Sequence, residues 1–296
     1  VAVDFTSVAM RKVTPDDPAL DDTLPDIARA QAAAHKTRLP DKPEHALRIT
    51  QNFRSVLERR EVEIWRTDNP ITGAVFLSPL SYAGRAGVQM DDVVVLPDYR
   101  GQGHGAALMC LTAAIAKARD KHFVSWECEE GNPAVKTYRA LGALRRQDVK
   151  PFRLTKAHLA ALHPKEADAK AIRMTVSPRF SLFRTVNYGI EGYDLPADER
   201  ANGIQIEDID FADMDMATAR AALESYLYRA YNEKNIQFAD IVLRPDEPQH
   251  VALIRHFDAA QNSYSGSPAV LWVLEAEAFE AAAQQGFQLD IKGILS

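Results

Sequence analysis

Arg100-Gly101-Gln102-Gly103-His104-Gly105 is the run in this chain whose residue types and spacing are suited to chemistry. The four apolar residues at 93–96 read as a buried strand that Pro97 stops, and Ala106-Ala107-Leu108-Met109 starts a helix. A glycine-rich turn between strand and helix points several backbone N–H groups at one spot, backed by the positive end of the helix dipole. Such a spot suits a phosphate. The two commonest nucleotide loops do not fit. A P-loop ends in Gly-Lys-Ser/Thr, whereas Gly105 is followed by Ala106-Ala107; a dinucleotide loop spaces its glycines G-x-G-x-x-G, whereas these fall at 101, 103 and 105.

The elements around the loop narrow the choice. Leu108, Leu111, Ile115 and Ala118 line one helix face, residues 122–128 read as a strand, and a second helix over 133–141 ends at Gly142. That helix carries Tyr138, four residues before Gly142. Arg-x-x-Gly-x-Gly after a strand ending in Val-x-Pro, followed in order by helix, strand, helix and Tyr-x-x-x-Gly, resembles the GNAT superfamily of acyl-CoA-dependent N-acetyltransferases. The resemblance is strong over about residues 60–155 and loose before that.

It implies an α/β (α+β) GNAT fold, a mixed central sheet flanked by helices, with acetyl-CoA as co-substrate and no metal. Val93, Val94 and Val95 would pair their backbone with the pantetheine arm. Arg100 opens the loop whose amides, on Gly101, Gln102, Gly103, His104, Gly105 and Ala106, would hold the pyrophosphate. A backbone N–H near Val94 or Val95 would polarise the thioester carbonyl, a preformed oxyanion stabiliser beside a positioned amine. Tyr138 would protonate the leaving thiolate; read alone, it is also a core aromatic on an amphipathic helix. The His104 side chain fills a variable, exposed loop position. Asn132 lies near a family asparagine that contacts the cofactor, but it stands six residues before Tyr138 rather than seven, and Gly131 takes the expected place.

The base that deprotonates the amine stays open. Asp91 and Asp92 are neighbours on the strand entering the loop, and strict alternation puts them on opposite sides. Asp91 shares its parity with Val93 and Val95 and is one candidate to reach the acceptor. Glu127, at the end of the next strand, is the other candidate, and water also suffices.

Composition agrees with an enzyme of ordinary globular make-up: 296 residues, 46% hydrophobic and 26% charged, long enough for two domains. Two cysteines, Cys110 and Cys128, are too few for a disulfide framework and lack metal-ligand spacing, which fits a reducing, cytoplasmic setting. No apolar run is long enough to span a bilayer, so no membrane is expected as partner. Residues 1–164 carry a net charge of +3 and residues 165–296 a net −9. The slightly basic half suits an anionic cofactor, and the acidic half excludes nucleic acid as the main partner.

The two halves also resemble each other. Residues 65–73 match 183–192 with one insertion, 89–93 match 205–209, 111–128 match 226–243, 133–141 match 248–257, and 152–159 match 272–279. The offsets of 118, 116, 115, 115 and 120 are nearly constant and in order, so residues 1–165 read as the GNAT domain and 172–296 as a truncated, degenerate copy. The stretch from His158 to Pro164 and the charged residues after it read as the linker. In the copy, Asp210, Asp213 and Asp215 stand where a pyrophosphate would go and would repel it, capping their helix instead, and Ile254 replaces the tyrosine. Its apolar strands need cover from the first domain or from another subunit, as in a homodimer. The expected function is transfer of acetyl from acetyl-CoA to a primary amine of a small molecule or amino-acid-like substrate. A non-catalytic acyl-CoA-binding sensor or assembly module is the alternative.

Overall fold

The computed structural model describes residues 9–34, 43–60, 62–68, 70–163, 172–179, 203–211, 214–261, 263–264 and 267–279. In chain order these form β1 (Ala9–Lys12), α1 (Ala19–Asp22), α2 (Leu24–Ala34), α3 (Pro43–Glu58), β2 (Glu63–Asp68), β3 (Gly73–Tyr82), β4 (Arg85–Val95), α4 (His104–Ala118), β5 (Phe123–Glu129), α5 (Val135–Ala140), β6 (Leu144–Arg146), β7 (Lys150–Thr155) and α6 (Lys156–Ala160). The second half adds β8 (Arg173–Arg179), β9 (Gly203–Asp210), α7 (Met216–Lys234), β10 (Phe238–Leu243), α8 (Pro248–His256), β11 (Ala260–Gln261), β12 (Ser263–Tyr264) and β13 (Ser267–Glu275).

Two mixed sheets result. The first runs β1-β2-β3-β4-β5-β13-β12, with β6 also pairing β13; the second runs β11-β7-β10-β9-β8. Alternation along the strands sorts apolar residues to two faces of the first sheet. Ile64, Ala74, Phe76 and Val94 meet Leu20, Ile27, Ile49 and Phe53 of α1–α3. Val75, Met90, Val124 and Trp126 meet Leu108, Leu111 and Ile115 of α4 on the other face. The second sheet buries Leu154, Ile206 and Ile241 under Leu223 and Leu227 of α7 and Leu253 of α8.

Each half sends its last strand into the other half's sheet. β13 lies antiparallel against β5, with Trp272 opposite Trp126 and Glu275 opposite Phe123. β7 lies antiparallel against β10, with Leu154 opposite Ala239 and Thr155 opposite Phe238. Val149, entering β7, packs with Val242 and Leu271 where the two strands pass. A fragment ending at residue 163 is therefore expected to leave β5 an open edge and β7 without a sheet. Gel filtration should show it aggregated; a folded monomer of that length would show that the exchange is dispensable.

Parts of the two ladders correspond in register. In the first half Gly87 pairs with Phe123 and Gln89 with Ser125; in the second, Gly203 pairs with Phe238 and Gln205 with Asp240. The resulting offsets of 116 and 115 are those read from the sequence. Both glycines are there because the partner ring lies over them: a Cβ would come within 2.5 Å of Phe123 or 2.2 Å of Phe238. Helix ends repeat too, with left-handed Asp120 and Asn235 after α4 and α7, and Gly142 and Asp258 after α5 and α8. Not every match survives. Ser177 faces Gln205 as Ser78 faces Gln89, so β8 is the counterpart of β3 at an offset of 99, upstream of residues 183–192. Those residues lie outside the described ones, as does Asp213. Part of the expected linker is helical, because α6 is capped by Thr155 and His158.

Candidate active site

β4 positions the site because it has company on one side only. Its ladder with β3 continues to Val95, whereas its parallel ladder with β5 covers residues 87–89 and stops. From Met90 onward the backbone of β4 that faces β5 pairs with no strand among the described residues, and Val93, Val94 and Val95 lie along this gap. A bulge helps to open it: Phe76 faces Asp92 and Leu77 faces Met90, leaving Asp91 as the extra residue.

A short 3-10 turn at Pro97–Tyr99 then leads into the loop. The loop's side chains hold it from outside. Arg100 Nε donates to the carbonyl of Val95 at 3.1 Å, and Gln102 Nε2 donates to the carbonyl of Asp98 at 2.7 Å. Gly101 and Gly103 have φ of +73° and +89°, which favours glycine there. The first helical bond of α4 runs from Ala107 N–H to Gly103, and the N–H groups of residues 101–106 donate no hydrogen bond among the described residues. Six backbone donors at a helix N-terminus thus fit an anion such as a pyrophosphate. The second half shows the opposite state. Asp215 caps α7 and accepts the N–H groups of Ala217 and Thr218 at 2.9 and 3.0 Å, so its own carboxylate fills the place. Its carboxyl is held below the usual range by Thr218 and by these backbone donors.

His104 is placed more firmly than its sequence position suggested. Its Nδ1 lies 3.1 Å from the Thr72 hydroxyl, and its ring meets Tyr99 edge-on at 5.7 Å. Thr67 Oγ1 accepts the N–H groups of Thr72 and Gly73 and lies 3.0 Å from Thr72 Oγ1, so its proton goes to Thr72. Thr72 Oγ1 in turn is hydrogen-bonded to His104 Nδ1. This hydroxyl chain ties the first turn of α4 to the start of β3.

Tyr138, half-buried on α5, stands edge-on to Trp126 of β5 at 5.1 Å and to Trp272 of the exchanged strand at 5.5 Å. Burial pushes its hydroxyl well above the ordinary value, so it stays protonated. Burial also pushes the Cys128 thiol up to about 11 and the Cys110 thiol up to about 12, which leaves both unreactive. Asn132 spends its carboxamide oxygen on the Ala134 N–H at 2.8 Å, at the start of α5.

The carboxylates are arranged differently from strict alternation. The bulge turns both Asp91 and Asp92 to the face away from α4: Asp92 accepts from Gln31 of α2 at 3.2 Å, while Asp91 faces Arg179 of β8 at 3.6 Å. The expectations of opposite faces and of a side shared by Asp91 with Val93 and Val95 are thereby corrected; one inserted residue cancels one step of the alternation, and Val93 and Val95 pack toward α4. Burial pushes each of the two up to about 7. Between the ordinary carboxylate range and about pH 7 the folded chain binds more protons than the unfolded one at these groups, so their contribution to stability falls as pH rises through that window. Glu127 shares the face and meets Arg179 Nη2 at 2.9 Å. Arg179, supplied by the second half, meets both candidate bases, and no motif or spacing marks it. Among the described residues no group of three or more His, Cys, Asp or Glu side chains is set to hold a metal, and no helix is long and apolar enough to cross a membrane.

Residues 25–143 match the model of the acetyltransferase (GNAT) family. Similar solved structures include a tandem GNAT protein from the clavulanic acid biosynthesis pathway (13% identity, 91% of this chain and 98% of that one, TM-score 0.46). Others are a GCN5-related N-acetyltransferase from Kribbella flavida (14%, 90% and 70%, TM-score 0.40) and a probable N-acyltransferase from Enterococcus faecalis V583 (12%, 93% and 74%, TM-score 0.42). No curated relative matches the chain.

Proposed function

Proceeding from a chain that carries a GNAT acetyltransferase domain at residues 25–143, we propose that it transfers acetyl from acetyl-CoA to the primary amine of a small molecule or amino-acid-like acceptor. The observation that carries this reading is the row of six N–H groups at residues 101–106, open at the start of α4 and beside a strand with an unpaired edge. That row would hold the pyrophosphate, and the open backbone of residues 93–95 would hold the pantetheine arm. Bound acetyl-CoA supplies an acyl group activated as a thioester. The chain supplies the rest. A backbone N–H of Val94 or Val95 stabilises negative charge on the acyl oxygen, Tyr138 holds a proton for the departing sulfur, and a carboxylate on the Asp91–Glu127 face takes the proton from the amine.

Purified protein incubated with acetyl-CoA and a panel of primary amines should release free thiol with at least one of them. Calorimetry should count one CoA per chain, because Asp215 closes the second copy. Two sites per chain would show that the aspartate does not exclude the ligand. Tight CoA binding with no thiol release across the panel would favour a non-catalytic acyl-CoA sensor.

A further inference from the structure

The part of the first sheet's face that carries Asp91 and Glu127 meets β8 of the second half, through ion pairs beside a neutral contact between Ser81 and Ser177. Arg179 Nη2 lies 2.9 Å from Glu127, its Nη1 3.6 Å from Asp91 and its Nε 3.6 Å from Asp240 of β10. All four side chains are at most 5% exposed. Arg153 of the exchanged strand β7 holds Asp240 with two bonds of 2.7 Å. Among the described residues, these three carboxylates face two guanidinium groups. The short, hydrogen-bonded contacts go to Glu127 and Asp240, whereas Asp91 meets a guanidinium only at 3.6 Å. In a buried place the surplus carboxylate is the one with the highest proton affinity.

We propose that Arg179 is a positioning residue through which the second half completes the active site of the first: it fixes Glu127 in a hydrogen-bonded ion pair and leaves Asp91 to take the acceptor's proton. This rests on the transferase reading above. The direction of the Asp91 shift agrees. Burial raises its carboxyl, Arg179 on β8 and the Ser78 hydroxyl on β3 oppose the rise, and Asp92 on its own strand and Glu127 on β5 add to it. A base poised near neutrality is well matched to its task. The proton leaves the amine for the Asp91 carboxylate as the C–N bond forms and the C–S bond breaks, and the thiolate takes its proton from Tyr138.

Two substitutions should move the acidic limb of the pH–rate profile in opposite directions. Arg179→Met removes the opposing charge, so the limb moves to higher pH by about one unit or more, and Arg179→Lys returns most of it. Glu127→Gln frees the arginine for Asp91, so the limb moves to lower pH. A merely structural arginine would lower activity equally at every pH. Carbon-13 NMR of aspartate carboxyls in the CoA-bound protein, assigned with Asp91→Asn, reads the same shifts without any acceptor. If Arg179→Met fails to fold, the lysine variant and Glu127→Gln still decide. Unmoved titration, or turnover lost as completely in Glu127→Gln as in Asp91→Asn, overturns the proposal. Shifted titration with no amine acetylated sinks the transferase reading and leaves the positioning role standing.

Discussion

Gly103→Asp should abolish CoA binding. The wild-type affinity expected of a pyrophosphate held by open amides is low-micromolar or better, about −8 kcal/mol, and the variant should bind more weakly than millimolar, about −4 kcal/mol. Gly103 is the N-cap of α4, with φ of +89°, a conformation that costs other residues about 1–2 kcal/mol. More important is the charge. An aspartate there gives α4 what Asp215 gives α7, a carboxylate on its first N–H groups, which repels the ligand and takes its donors. The helix itself should form, so circular dichroism should change little while calorimetry goes flat. Unchanged affinity would refute the assignment of the loop.

Tyr138→Phe should lower turnover by about 10²-fold and leave CoA affinity nearly untouched. The ring keeps its edge-on contacts with Trp126 and Trp272, so packing is conserved and the hydroxyl alone is lost. Because burial holds the phenol well above its ordinary value, its proton is present at every working pH, and the loss should not depend on pH. Near-wild-type turnover would mean that water or another group protonates the sulfur.

The loop and the repeat were legible because they are local. Glycines at 101, 103 and 105 answer to backbone geometry, and the offsets near 116 follow from pairs such as Gly87–Phe123 and Gly203–Phe238 whose spacing the ladders keep. What depends on an inserted residue or on a distant partner was not legible. The bulge at Asp91 overrode alternation, since nothing in Met90-Asp91-Asp92 marks the extra residue. β3 runs on to Tyr82 beyond the reach of β2, which pairs no further than Leu77, so Pro79 sits on an edge where a missing N–H does no harm. The left-handed pair Ala83-Gly84 closes that hairpin. Arg179, the arginine on the candidate bases, lies on a strand whose partner across the sheets no periodicity reveals. Nor could periodicity say that β7 and β13 change places, because a strand's pattern records which face is buried and not which neighbour it joins.

That exchange sets a timetable for the ribosome. Ala269 pairs with Glu129, which is made 140 residues earlier. At about 5–20 residues per second, the edge of β5 waits on the order of ten seconds or more for its neighbour to be synthesised. Loop-closure entropy over so long a span further slows the docking. During that interval Trp126 and the apolar strip beside it are exposed on an unfinished sheet, which makes the nascent chain a natural client for chaperones and ties the yield of active protein to synthesis of its far end.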